Sequence, residues 1–466
     1  MRVLHARPVP GRRPGAAVRV TALLAVCATV AALPAPAIAA TAATGAAATG
    51  AAAPAAVTGG TFSVLTYNVA GLPEGLSSGS PATNTPLIAP RIGAYDIVNV
   101  QEDFNYHAAL YAGDDHPYRT PTSGGAAFGD GLNTLSDLPF SDFTRVDWDK
   151  CNGTDCLTPK GFTLARVRLA EGVVVDVYNV HANAGSGEAN YAARRANLTQ
   201  LSTYITTASA GNAVIVMGDT NTRYTRGADN IRELAAANGL TDAWVQLARG
   251  GSTPAVDQPG LVCDATPTDA CEVVDKILYR GSPAVRLTAT RYHNEHAGFL
   301  DAAGKPLSDH FPHTVDFTWA AAPVLRLSDQ VGGPHGAFFN DLAALPPAPR
   351  VRSLHLRGGS RLDQVALTLT GGVTLSHGGG GGTARSLTLA EGEHLTRVRL
   401  TSGQRDGRTR VFSAEFGTDR GATLTAGTPT TSAVTWTAPP GWHIVGFHGR
   451  SGAEIDKLGV IYAPLP

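Results

Sequence analysis

The chain has 466 residues, 43% of them apolar, with 53 glycines, two methionines and a formal net charge of −1. Its length implies two or three domains with large cores, and a charged fraction of only 16% favours strands and turns over long exposed helices. The charge is uneven: residues 60–318 hold 18 Lys and Arg against 28 Asp and Glu, and residues 319–466 hold 14 against 10, so the acidic half suits cations and argues against tight nonspecific nucleic-acid binding.

Residues 1–39 read as a secretory signal. Arg2, Arg7, Arg12, Arg13 and Arg19 precede an apolar run over 20–35, and Ala37-Ile38-Ala39 offers a small-residue cleavage site. The expected location is therefore extracellular. The apolar run is short for a membrane span, and no later segment qualifies as transmembrane. Residues 40–60, rich in Ala, Thr and Gly, read as a flexible linker. Cys27 leaves with the signal. Cys151/Cys156 and Cys263/Cys271 form two close pairs in turn-rich segments, expected to be local disulfides in an exported protein. Free thiols or a metal site are the alternatives, and no His stands at ligand spacing.

The first domain is read over 61–319. Apolar, β-branched runs at 62–68, 96–100, 162–169, 173–180, 214–217, 277–279 and 313–317 predict strands, with a turn at 170–172. The clearest helix covers 191–206, with Ala193, Asn197, Leu198, Leu201 and Ile205 as its inner stripe and Arg194 and Arg195 outside. A shorter helix covers 231–238. Alternating strands and helices with antiparallel hairpins predict an α/β sandwich of two sheets. Residues 320–324 read as a linker. Over 325–466 helical periodicity vanishes and short strands recur, which predicts an all-β domain.

Six of the strand ends in the first domain carry polar residues: Asn68, Glu102, His181 with Asn183, Asp219 with Asn221, Asp275, and Asp309-His310. Glu102, after Ile97-Val98-Asn99-Val100-Gln101, is a natural ligand for a hard cation; Mg²⁺ takes one or two carboxylates plus waters and phosphate oxygens. Alternate residues of an extended segment share a face, so Asp219 can orient a nucleophile or metal while the Asn221 amide donates to a phosphoryl oxygen. His181 can stabilise a phosphoryl transition state or protonate a leaving oxygen. A carboxylate such as Asp275 that orients His310 makes the imidazole a base for water.

In this order and spacing, the six stretches over 61–318 closely resemble the endonuclease/exonuclease/phosphatase superfamily, with its DNase-I-like fold. The resemblance implies a four-layer α/β sandwich and a metal-dependent phosphodiesterase. It implies that Glu102 binds Mg²⁺ (other divalent cations fit the same chemistry), that Asn68 and Asp309 contribute at the metal and phosphate, and that His181 is the acid-side histidine. Asp219 and Asn221 would position water and phosphate, and Asp275 would orient the base His310. The run Cys151-Asn152-Gly153-Thr154-Asp155-Cys156-Leu157-Thr158-Pro159-Lys160-Gly161 resembles the Asp…Lys-Gly signature of the neutral sphingomyelinases, and Leu307-Ser308-Asp309-His310-Phe311-Pro312 is similar to their last motif. Lys160 would then place a positive charge near a phosphate. His181-Ala182-Asn183 is closer to the nucleases, and no Trp-rich or Phe-rich hairpin for entering a membrane stands out. A phospholipid of the sphingomyelin type and a nucleic acid are the two expected substrates, with peripheral membrane contact in the first case.

The second half is similar to the jacalin-related lectins. Gly332-Gly333-Pro334-His335-Gly336, the glycine run after His377, and Gly452-Ala453-Glu454-Ile455-Asp456 carry the resemblance. It implies a β-prism that binds glycans through Gly333, Gly452 and Asp456, with backbone from Ala453 and Glu454. A carboxylate that accepts from two sugar hydroxyls beside bare glycine backbone is sound recognition chemistry.

Overall fold

The computed structural model describes residues 58–125, 128–263 and 267–466. The expected signal peptide and residues 40–57 of the expected linker lie outside the described residues.

The first domain begins two residues before its expected start, with β1 (Gly59–Asn68). It continues through α1 (Pro81–Ile92), β2 (Ile97–Gln101), α2 (His107–Ala112), β3 (Tyr118–Arg119), β4 (Asn133–Ser136), β5 (Phe140–Asp147), β6 (Gly161–Ala170) and β7 (Val173–His181). It ends with α3 (Glu188–Ala208), β8 (Ala213–Asp219), α4 (Ile231–Asn238), β9 (Thr241–Asp242), α5 (Ala243–Leu247), β10 (Asp275–Arg280), β11 (Val285–Asn294) and β12 (His313–Ala321). Two six-stranded sheets result, in the orders β11-β12-β1-β2-β4-β3 and β5-β6-β7-β8-β10-β9. They face each other across Val64, Ile97, Val177, Val216 and Phe317, all buried. Ile88, Ile92 and Leu110 of α1 and α2 cover the outside of the first sheet, and Leu198, Leu201, Ile205 and Leu234 of α3 and α4 cover the second. The expected four layers are present. Among the described residues no helix is long and apolar enough to cross a membrane.

The inner face is polar near one end. Asn99 Nδ2 donates to Tyr178 O (3.0 Å), Gln101 Nε2 to Asn179 Oδ1 (2.8 Å) and Asn179 Nδ2 to Val100 O (2.9 Å), so buried amides lace the two sheets together. These amides are buried, where an unmade bond would cost about 1–3 kcal/mol each.

One expectation for α3 fails. Arg194 lies inside, not outside: it is fully buried, paired with Asp229 at 3.0 Å and donating to Asn183 O at 2.7 Å. A charge so deep is tolerated because its guanidinium meets a carboxylate and carbonyls, so it clamps α3 to the loop after β7.

The second domain is a three-sheet prism. One sheet holds β13 (Arg326–Leu327), β14 (Val331–Gly332), β15 (Ala337–Asn340), β24 (Trp442–Ser451) and β25 (Ile455–Pro464). The second holds β16 (Val351–Gly358), β17 (Leu362–Leu369), β18 (Thr374–Gly378) and β19 (Thr383–Thr388). The third holds β20 (Leu395–Arg405), β21 (Arg408–Thr418), β22 (Thr423–Gly427) and β23 (Ser432–Thr437). The sheets repeat one device. Gly332, Gly378 and Gly427 all have positive φ, and an added Cβ would meet the carbonyl oxygen of Asp456, Asp363 or Phe412 at 2.1, 2.1 or 2.0 Å. Only glycine fits there.

The two domains share a continuous core: Leu342, Val445, Ile461 and Ala463 of the prism pack with the apolar residues of the first domain. Between them Asp142 accepts from Lys457 (2.5 Å) and Arg166 (3.1 Å) and forms an ion pair with Arg450 Nε at 3.3 Å, and the Phe338 ring centroid lies 3.8 Å from the Arg166 guanidinium carbon. Asp329 pairs with Arg168 at 2.8 Å and accepts from Gly172 N. A cavity of about 370 Å³ lies here, lined by Arg166, Arg168, Asp329 and Lys457, whose charges already have partners. The short connection over 320–324 is largely ordered: Ala320 and Ala321 complete β12, and Ala322 N donates to Ala284 O at 2.8 Å.

Candidate active site

The polar strand ends converge. In the parallel pair β7–β8, His181 sits beside Asp219, and in the antiparallel pair β8–β10 Asp219 faces Asp275. Gly218 makes this close approach possible, because a Cβ there would meet Val180 O at 2.1 Å. Asn68 ends β1 and Glu102 directly follows β2. His310 enters from the segment before β12, whose His313 pairs with Thr66 on β1.

His310 is the link between two acids. Its Nδ1 lies 3.0 Å from Asp275 Oδ2 and its Nε2 3.7 Å from Asp219 Oδ2. Ser308 aims the ring: its Oγ donates to Asn68 O at 2.7 Å and accepts from His310 N at 3.2 Å. Burial works against a charged His310, but Asp275 and Asp219 outweigh it and hold the imidazole well above its ordinary range. Burial pushes Asp275 up, partly offset by His310. Burial also opposes ionisation of Asp219, yet His310, His181 and Lys160 hold it well below the usual carboxylate range. His181 Nε2 stands 3.3 Å from Asp219 Oδ2 and 3.8 Å from Glu102 Oε1, while its carbonyl accepts from Trp148 Nε1 at 2.7 Å.

Asn68 acts here as a donor. Ala70 N donates to its Oδ1 (3.1 Å), which turns its amide nitrogen to Glu102 Oε1 (3.2 Å) and Asp219 Oδ2 (3.3 Å). Its oxygen therefore does not face the carboxylates as a metal ligand. Asn221 is also placed differently from the expected extended alternation. Its φ is +53°, its N–H donates to Asp219 Oδ1 at 2.9 Å and its side-chain amide to Ala182 O at 3.1 Å. With Ala70 at +50° and Glu102 at +58°, three non-glycine residues around the cluster adopt the left-handed region. Strain of this kind, about 1–3 kcal/mol per residue, gathers where geometry serves a site. Asp309 stands apart: its carboxylate is exposed, with its own Ser308 Oγ at 3.4 Å.

Lys160 comes to the rim through a braced loop. Its Nζ lies 2.9 Å from Asp155 Oδ1, and Asp155 also accepts from Ala184 N, three residues past His181. The Cys151–Cys156 disulfide closes this turn, and Cys263–Cys271 closes the loop before β10. Asn183 accepts from Asn152 N at 2.7 Å, so it holds the loop and does not reach toward the cluster. Asp155, Lys160, Trp148 and Asn183 line a cavity of about 200 Å³. Trp148, which anchors His181, carried no signal in the sequence because it acts through one bond to a backbone carbonyl; Ser308, which anchors His310, lies inside the Leu307–Pro312 stretch, where no role was read for it.

The donor chemistry fits a hard cation. Asp219, Asp275 and His310 offer ligand atoms within 4.8 Å of one another. Glu102, part-exposed at the mouth and held by the Asn68 amide, offers a further carboxylate beside them that could take part in holding a divalent ion.

In the prism, the expected sugar residues meet at one end. Gly333 N donates to Asp456 O at 2.9 Å, and Gly452 has open space around its Cα. Two arginines that the motif does not contain enter this site. Arg410 pairs with Asp456 and lies 2.7 Å from Glu454, and Arg361 pairs with Glu454 from the other side. Both acids are thus paired with cations 46 and 93 residues away in sequence, Arg410 on β21 and Arg361 in the turn before β17.

Residues 84–272 match the family model described as Endonuclease/Exonuclease/phosphatase family 2, and residues 328–461 match the Jacalin-like lectin domain. Sphingomyelinases of Mycobacterium bovis and Mycobacterium tuberculosis are 44% identical over 271 residues, which cover 56% of this chain and 54% of theirs. The chain thus spans about half the length of these curated relatives. Horcolin of Hordeum vulgare is 30% identical over 139 residues, covering 28% of this chain and 95% of horcolin. Among solved structures, sphingomyelinase C from Streptomyces griseocarneus is 21% identical with a TM-score of 0.41, covering 56% of this chain and 99% of that one. The chain therefore joins a domain that matches the endonuclease/exonuclease/phosphatase family model and is similar to the sphingomyelinases to a domain that belongs to the jacalin-like lectins.

Proposed function

We propose that the protein is a secreted, divalent-metal-dependent phosphodiester hydrolase, with Mg²⁺ as the metal that suits its donors. Its substrate is a choline phospholipid of the sphingomyelin class, and the prism addresses it to glycan-bearing surfaces. The observation that carries the reading is the Asp275–His310–Asp219 chain opening toward His181 and Glu102. The 44% identity to the mycobacterial sphingomyelinases supports the lipid over a nucleic acid, as does the acidic first domain.

Glu102 would hold the cation, which when bound would stabilise negative charge on the phosphate and the departing oxygen. His310, oriented by Asp275, takes a proton from water. The water oxygen forms a bond to phosphorus as the ester bond to the lipid alcohol breaks, and His181, on the other side of Asp219, supplies the leaving oxygen with a proton. Asn68 and Asn221 hold Asp219 in place, and Lys160 adds positive charge at the rim.

The test is hydrolysis of sphingomyelin, phosphatidylcholine and plasmid DNA, with Mg²⁺ and with EDTA. The reading expects phosphocholine release that EDTA abolishes. DNA nicking without lipid cleavage would move the protein to the nucleases. No turnover of any substrate would leave a glycan-binding protein with an inert first domain.

A further inference from the structure

The sugar end of the prism is filled by charge of the protein's own. Asp456, whose carboxylate would accept from two sugar hydroxyls, has a side chain only 3% exposed and is paired with Arg410. Glu454 is held between Arg410, at 2.7 Å, and Arg361. A neutral sugar could use Asp456 only by displacing Arg410. That would leave a buried carboxylate without its cation, a loss that hydroxyl donors do not offset. Room for a ring remains, because Gly452 has open space around it. Gly333 in turn lets the β20–β21 hairpin come close, since a Cβ there would meet Thr409 O at 2.4 Å.

Arg410 is the group this site presents instead. It meets both acids through Nη1 alone. Among the described residues its Nε and Nη2 make no hydrogen bond to protein, and neither is sealed from solvent. These two nitrogens form one edge of the guanidinium, the fork that takes a carboxylate through two parallel hydrogen bonds. The acids behind the fork hold it in place, so little side-chain freedom is lost when a ligand docks. Arg361 uses Nε on Glu454 and Nη1 on Ser360 Oγ at 3.4 Å, which leaves its Nη2 without a partner among the described residues. Arg408, two residues before Arg410 and so on the same face of β21, is exposed and has no ion pair among the described residues. The prism as a whole is basic, with 14 Lys and Arg against 10 Asp and Glu over 319–466.

We propose that Arg410 makes the prism a receptor for an acidic sugar, with the sugar carboxylate on its Nε–Nη2 fork and the ring over Gly452, and that it turns the neutral counterpart away. The proposal rests on the glycan reading of the prism above. Uronic and sialic acids carry the required group. A neutral sugar meets the fork with a hydroxyl oxygen, one uncharged bond where a carboxylate makes two charge-assisted ones.

The experiment measures binding of the full chain to matched pairs of glycans that differ in an acidic group: methyl glucuronide and methyl glucoside, sialyllactose and lactose. The expected result is about tenfold tighter binding of the acidic member of a pair, the worth of one charge-assisted hydrogen bond. That binding should weaken as salt is raised. Arg410→Gln should lose the preference, and Arg410→Lys, which keeps the charge but not the fork, should retain part of it. Equal or tighter binding of the neutral members by the parent would overturn the proposal and leave the glycan reading standing. So would an unchanged preference in an Arg410→Gln variant that keeps the parent's circular dichroism, or acidic binding that salt does not weaken. Binding of neither member of any pair would overturn the glycan reading and the proposal with it. If Arg410→Gln does not fold, the acidic-to-neutral ratio of the parent and its salt dependence decide alone.

Discussion

Lys457, near the end of the prism, places its ammonium 2.5 Å from the carboxylate of Asp142 in the first domain, with both side chains buried. Burial works against an ionised Asp142, but Lys457, Arg166 and Arg450 outweigh it and hold its pKa down to about 2. Lys457→Met should therefore lower stability by about 1.5–3 kcal/mol, the worth of a hydrogen bond to a charged group, since Arg166 and Arg450 still face Asp142. Because the apolar core runs across the junction, the full chain should melt in one transition, and the variant should shift that whole transition. Calorimetry checks both; two separate transitions in the parent would contradict the shared core.

Acid should loosen the fold well before Asp142 is protonated. Burial first, then the nearby Arg166 and Lys457, push the junction residue His448 down to about 3, and burial with Lys276 and His310 does the same to His313. Both folded-state values lie below the unfolded value of about 6.5. The unfolded chain therefore binds more protons between pH 6.5 and 3. Stability is full above pH 6.5 and declines as pH falls through that window. Urea midpoints measured from pH 7.5 to 4 should fall steadily, and His448→Asn should make the decline shallower.

The base should carry its own pH signature. His310 is held up by Asp275 and Asp219, and it accepts a proton from water only when neutral, so activity should rise with pH through its titration. His310→Ala should lower kcat by about 10²–10⁴, the usual worth of a positioned acid or base. Asp275→Asn removes the largest upward influence on His310. The rising limb should move to lower pH while its plateau falls, and a pH–rate profile reads both effects.

The Cys151–Cys156 bridge closes a turn five residues long, a loop for which chain entropy predicts about 2 kcal/mol of stabilisation. Its larger effect should be local. Replacing both cysteines with serine should free the turn that presents Asp155 and Lys160, lowering turnover several-fold, with a melting shift of only a few degrees. Melting curves beside kinetics separate the two effects.

Much of the site could be read from sequence because burial writes itself plainly into strands. Val214-Ile215-Val216-Met217 cannot be surface, so the Asp219 that follows must stand at an edge. The same rule misled at Arg194, where a charged residue beside an apolar stripe was assigned to solvent and the fold instead buries it against Asp229. Pro86 and Pro90 hid α1, since proline weakens a helical pattern although the helix tolerates both here. The domain junction and the arginines at the sugar site were illegible because their partners lie far apart in the chain.

Two of the strands that end at the catalytic cluster, β7 and β8, begin at the prism, where Gly172 N donates to Asp329 and Asn212 Oδ1 accepts from Asn340. β7 carries Asp176, which pairs with the junction residue Arg166, and five residues later His181, about 16 Å along an extended chain. If the prism held a fixed glycan while the mouth was seated on a surface, tension would run lengthwise down β5, β6, β7 and β8. A sheet pulled along its strands loads all of its ladder bonds together and resists as one body, whereas a sheet pulled across its strands parts one bond at a time. A load between the two ends would then be shared by the ladder bonds of these strands, with the site at their far tips.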